Sequence, residues 1–83
     1  MANINRTNIS EYLFEYQLSL IGKTVKDAID NPNWRQEWAI IPEDAFKFRE
    51  YAVPLIKKTF KCNRSKAEST FNFFLITFGL KIY

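Results

Sequence analysis

Eighty-three residues make one small domain: at this length a folded chain withdraws only about 60 to 65% of its unfolded surface from water, too little for a second core. An apolar share of 47%, a charged share of 25% and eight phenylalanines exclude intrinsic disorder and predict an aromatic-rich core. One cysteine, Cys62, and no histidine exclude an intramolecular disulfide framework, a zinc module and His-based acid–base chemistry together.

The opening residues, Met1 to Arg6, lack the apolar stretch of a secretory signal, and no run of about 18 apolar residues follows to span a bilayer. A cytoplasmic chain with no membrane partner is expected, and the lone thiol agrees with a reducing compartment. Residues 1–8 read as a flexible N-terminal arm to a single helical domain over 1–83. Ser10 then stands as an N-cap, with Ile9 and Phe14 placed for a hydrophobic staple, which predicts a helix from Glu11. Phe14, Leu18, Ile21 and Val25 recur at steps of four, three and four, the spacing of one buried helical face. Gly22 interrupts the run. Thr24 with Asp27 resembles a capping box, so a first helix to about Ile21 and a short second over Val25 to Ile29 are expected.

Asn31 before Pro32 is pushed out of the helical region and ends that element. Asn33 and Gln36 fit a cap and its partner for one turn bearing Trp34 and Trp38, followed by extended Ala39, Ile40 and Ile41. Pro42 suits the first position of a helix whose early acids, Glu43 and Asp44, complement its positive end. Its apolar set is Ala45, Phe48, Ala52, Ile56 and Phe60, widened by Phe46 and Val53. Pro54 removes a backbone donor, which predicts a kink near Glu50 or a division into two helices. Ser65 and Glu68 form a capping box and Gly79 sits where a helix commonly stops, giving a last helix from about Lys66 to Phe78. Ala67, Phe71, Phe74 and Phe78 are its main stripe, but Phe73, Leu75 and Ile76 make it apolar nearly all round, so it is either central or covered by a partner. In competition, Ile76, Phe78, Leu80 and Ile82 alternate as a strand would, with Ala39 to Ile41 or Ala2 to Asn5 as the segments able to pair with it.

Net charge is +3, unevenly spread. Lys57, Lys58, Lys61, Arg64 and Lys66 fall within ten residues free of acids, while the rest carries seven basic against nine acidic residues, a net −2. Such a segment attracts phosphate or an acidic protein surface, or is simply a solvated corner between helices. Cys62 lies among these cations, which would favour a thiolate, yet no base stands by to relay a proton, and burial as a small apolar residue explains it as well. Glu11 with Glu15 and Asp27 with Asp30 are solvated faces rather than paired catalytic acids, and no glycine-rich loop cradles a phosphate. No catalytic residue, cofactor or metal is expected.

Trp34 and Trp38 stand one turn apart with Arg35 between them, residue types enriched at binding hot spots, and alternatively serve as a lid on a small core. Tyr12 and Tyr16 share a face of the first helix and would add interface area at low entropic cost. From Ile56 to Phe71, apolar Ile56, Phe60, Cys62, Ala67 and Phe71, with Asn63 to Ser65 as the cap of the next helix, resemble in spacing the helix-turn-helix motif. The resemblance covers about a fifth of the chain and departs from the motif at Lys57, where a small residue is usual, and at Lys61, where glycine is. It implies that Arg64, Lys66 and Ser69 face nucleic acid.

The expected fold is all-α: a compact bundle of four or five short helices around a Phe-rich core with the C-terminal helix central, a C-terminal strand being the alternative. The expected function is non-enzymatic binding of another protein, as an adaptor or stoichiometric inhibitor, with nucleic-acid binding through the basic segment as the alternative.

Overall fold

A computed structural model describes residues 3–83. Its described residues form five helices and two short strands: α1 (Ile9–Ser19), α2 (Val25–Asp30), α3 (Trp34–Glu37), β1 (Ala39–Ile40), α4 (Pro42–Phe60), α5 (Arg64–Phe78) and β2 (Lys81–Ile82). The mostly helical bundle expected from the sequence is present, with α1, α4 and α5 enclosing the larger core of Leu13, Phe48, Ala52, Ile56, Phe71 and Phe74. Phe48 meets Phe71 and Phe74 edge to face, at ring-centre distances of 5.1 and 5.9 Å, the arrangement that ring quadrupoles favour. A second cluster, Leu18, Ala28, Ile40 and Leu80, lies between α1, α2 and the strands.

Local chemistry accounts for most boundaries. The α1 helix begins two residues earlier than Ser10 predicts, because Asn5 opens a turn ahead of it. The Asn5 carbonyl accepts from Ile9 N–H at 2.9 Å, and its side-chain oxygen accepts from the N–H groups of Thr7 and Asn8. Of the expected arm, Met1 and Ala2 lie outside the described residues, as does the Ala2 end of one candidate strand partner. Ile4 packs against the core and Arg6 lies over the Phe60 ring. Gly22 takes a left-handed φ of 72°, which reverses the chain after α1. Thr24 and Asp27 then form the expected capping box in both directions, and these hydrogen bonds hold the Asp27 carboxyl below its ordinary range. The α3 turn is organised otherwise than expected. Asn33 makes no side-chain cap; Asn31 accepts from Asn33 N–H and donates to Glu37.

Two expectations about the later helices are corrected. The α4 helix runs through Pro54, so of the kink or division expected there the division into two helices does not occur. The ring is exposed while Ala52, Val53 and Ile56 are fully buried, so packing on the opposite face outweighs one lost backbone hydrogen bond. The Ser65–Glu68 capping box does not form. Asn63 caps α5 by accepting from Lys66 N–H at 2.9 Å, and Glu68 turns instead to Arg49 and Arg64.

At the C-terminal end the helix takes Ile76 and Phe78, and of the alternating strand pattern only the Ile82 end forms a strand. After α5 ends at Phe78, β2 pairs in parallel with β1, Ala39 opposite Lys81 and Ile40 opposite Ile82. Gly79 is required there for space and not for a left-handed turn: its φ is −71°, but a Cβ would lie 2.5 Å from the Leu75 carbonyl oxygen.

Between α4 and α5, Lys61 adopts φ 52° and ψ 51°, the left-handed conformation that a β-carbon makes costly. This is the position where the helix-turn-helix pattern wants glycine, and the strain explains why. Lys61→Gly is expected to stabilise the fold by about 1 kcal/mol or less, the relieved strain being partly offset by a more flexible unfolded chain. A thermal melt checks it; a lower midpoint would mean that the lysine side chain itself contributes to stability.

Candidate protein-docking surface

On α5, three sides of the helix meet three environments. Ala67, Phe71 and Phe74 are buried against α4. The opposite side is bare: Phe73 and Ile76, one turn apart, are 73% and 70% exposed. From Ser69 to Leu80 the chain holds no charged residue, so the outer side of α5 presents Phe73 and Ile76 to water among uncharged polar neighbours, the exposed Ser69, Asn72 and Thr77. A cleft runs along each flank. One, of about 260 Å³, lies between α1 and α5 over the end of α4, lined by Ile9, Leu13, Phe60, Thr70, Phe73 and Thr77 among others. The other, of about 250 Å³, is bordered by Phe46, Arg49, Leu75 and Ile82. Contrary to the expectation that Phe46 widens the buried stripe of α4, it is 61% exposed. Charge depletion around exposed aromatic and aliphatic residues is the composition of an interface centre. A patch of this kind on a monomer marks an interaction surface more often than chance.

Residues singled out in the sequence fall elsewhere. Trp34 and Trp38 are half-buried over the second cluster. Trp34 lies 5.0 Å from Phe14 and 6.5 Å from Trp38, centre to centre. The Arg35 guanidinium and the Lys23 ammonium rest on Trp34 and Trp38 respectively. The pair therefore serves as a lid whose outer surface is shared with cations. Tyr12 and Tyr16 are not exposed as their spacing suggested; both are half-buried. Tyr16 stacks on Tyr51 with ring centres 3.8 Å apart and planes 2° from parallel. Burial, with Tyr16 and Glu15 nearby, raises the Tyr51 phenol above its ordinary range.

The basic segment divides. Lys57, Lys58, Lys61 and Lys66 are exposed without acidic partners among the described residues. Arg64 reaches Glu68 at 3.4 Å and Glu50 at 4.0 Å, and Glu68 is shared with Arg49 at 2.9 Å. The stretch free of acids in sequence is thus not free of them in space, because α4 brings Glu50 alongside. Cys62 is half-buried against the larger core.

Sequence reasoning missed Gln17, which is 1% exposed. Its side-chain N–H donates to the Phe78 carbonyl at 2.8 Å and its oxygen accepts from Leu80 N–H at 3.1 Å, clamping the end of α5 to α1. The signal was present: Ile9, Leu13 and Leu20 form a second apolar stripe on α1, and Gln17 is its one polar member. No family model, curated protein or solved structure matches this chain.

Proposed function

We propose that the chain is a small cytoplasmic, non-enzymatic protein that binds another protein, as an adaptor or stoichiometric inhibitor, and that the outer face of α5 is its contact surface. The observation carrying this reading is the exposure of Phe73 and Ile76 on a stretch without charge. An amphipathic helix places such residues inward unless something else covers them, and burying the pair against a partner recovers roughly 1.5 to 3 kcal/mol per side chain. Among the described residues no helix is long and apolar enough to cross a membrane. Trp34, Arg35 and Trp38 form a second, smaller contact candidate, the two indoles being partly committed to the fold.

Nucleic-acid binding is the second reading, favoured by one observation: the left-handed turn at Lys61 joins α4 to α5 with Lys57, Lys58, Lys61 and Lys66 exposed around it. The exposed Phe73 and Ile76 of α5 are ill suited to a groove lined with phosphates, whereas the lysines suit one. One experiment separates the readings. The immobilised chain is exposed to native lysate with and without nuclease, alongside Phe73→Glu, Ile76→Glu and a Lys57→Glu/Lys58→Glu/Lys61→Glu triple variant. Protein capture that resists nuclease and is lost in the first two variants, with melting temperatures unchanged, is the expected result. Capture that needs nucleic acid and disappears only in the triple variant would replace the first reading by the second.

A further inference from the structure

The cleft between α1 and α5 has a polarity that its lining alone does not reveal. Its walls, Ile9 and Leu13 on one side, Thr70, Phe73 and Thr77 on the other, are uncharged, and Phe60 closes one end. Two cations lie beyond that end, outside the lining itself. The Arg6 guanidinium lies 5.5 Å from the centre of the Phe60 ring. Lys66, whose carbonyl accepts from the Thr70 hydroxyl at 2.9 Å, is one turn before Thr70 on the exposed side of α5. Neither forms an ion pair with a described acid, and no acid lines the cleft.

Resting on the protein-binding reading above, we infer that this cleft seats a single amphipathic helix of the partner, with bulky apolar side chains along the groove and acidic residues at the end that meets Arg6 and Lys66. A groove walled by two helices over a third is the shape that a helix fills with residues spaced at i, i+3 or i+4 and i+7. The cations fix its direction, because reversing the helix would put its acids at the Phe78 end, and among the described residues no cation rests on the Phe78 ring as Arg6 rests on that of Phe60. A second copy entering through the Lys66 side of its own α5 would bring that lysine to Arg6 and Lys66 as a like charge. Complementary charge at one end of an apolar groove fixes register and suppresses wrong partners more than it adds affinity.

The test is a selection of helical peptides from a random display library on the immobilised full chain. The expected winners carry an apolar stripe with acids clustered at one end. Their binding falls at least roughly tenfold in Phe73→Glu and by a similar factor in Arg6→Glu/Lys66→Glu. Selection repeated on the charge-reversed variant is expected to return peptides with basic ends. Winners without clustered acids, or indifferent to the reversal, overturn the inference while leaving protein binding through α5 intact. Winners indifferent to Phe73→Glu, yet displaced by blocking another surface, would sink both. Two further outcomes overturn it: Phe73-dependent binding to vesicles of phosphatidylserine and phosphatidylcholine with no peptide selected, and Phe73-dependent dimers in sedimentation at micromolar protein.

Discussion

Phe48→Ala is expected to lower stability by about 3 to 5 kcal/mol, the range for emptying an aromatic site in a close-packed core. Phe48 is the hub of the ring cluster: it meets Phe71 and Phe74 edge to face and lies 6.2 Å from Tyr16, which in turn stacks on Tyr51. It therefore ties α4 to both α1 and α5, and Phe74 and Tyr16 cannot collapse into the space without abandoning Phe78 and Tyr51 respectively. Domains of this length have a total stability of about 4 to 12 kcal/mol, so the variant should be largely unfolded or melt far below the parent. Phe74 touches Phe48 and Phe78 and is less enclosed, so Phe74→Ala should cost less than Phe48→Ala. Thermal and urea unfolding of the three proteins checks the order. A Phe48→Ala protein with an unchanged midpoint would show that the three-helix core is not the source of cooperativity.

Gln17→Leu is expected to destabilise by roughly 2 to 4 kcal/mol although it makes the core more apolar. It strands the Phe78 carbonyl and the Leu80 N–H, each costing about 1 to 3 kcal/mol when left without a partner. The damage should be local first. Hydrogen exchange at Leu80 and Tyr83 should accelerate before exchange at Ala52 or Ile56, because the clamp holds the segment that carries β2. Gln17→Glu gives a pH-dependent version of the same experiment. A protonated carboxyl can donate to the Phe78 carbonyl while its other oxygen accepts from Leu80 N–H, but a carboxylate can only accept and is costly to bury. The folded-state pKa of the new group is therefore raised above the ordinary glutamate value of about 4.3. Its stabilising contribution is fully present below that value and is lost as pH rises through the folded pKa. A Gln17→Glu protein equally stable at acidic and neutral pH would mean that the clamp is dispensable.

Features governed by a few neighbouring residues were legible in the amino-acid order. The Thr24–Asp27 box, the entry of α4 at Pro42, the end of α5 at Phe78 and the Leu18, Phe71 and Phe74 core positions all follow from short-range hydrogen bonding and helical periodicity. The central place expected for the C-terminal helix is corrected: α5 is apolar nearly all round, yet only one face is enclosed and Phe73 and Ile76 stay exposed. The missing pieces depended on partners distant in the chain. The division into two helices that Pro54 allowed is a local preference overruled by burial of Ala52, Val53 and Ile56, and Glu68 left its expected cap because Arg49, 19 positions away, offers a full charge. Tyr12 and Tyr16 looked alike by spacing, yet Tyr51 on another helix claims Tyr16. Which side of α5 stays bare, with Phe73 and Ile76 outward and clefts beside them, was settled by the docking of α4 on the Ala67, Phe71 and Phe74 face. Periodicity ranks the sides of a helix by hydrophobicity, but when all sides are apolar the ranking is nearly flat. Only the shapes that α1 and α4 present then choose which side is buried, and with it where a partner can bind.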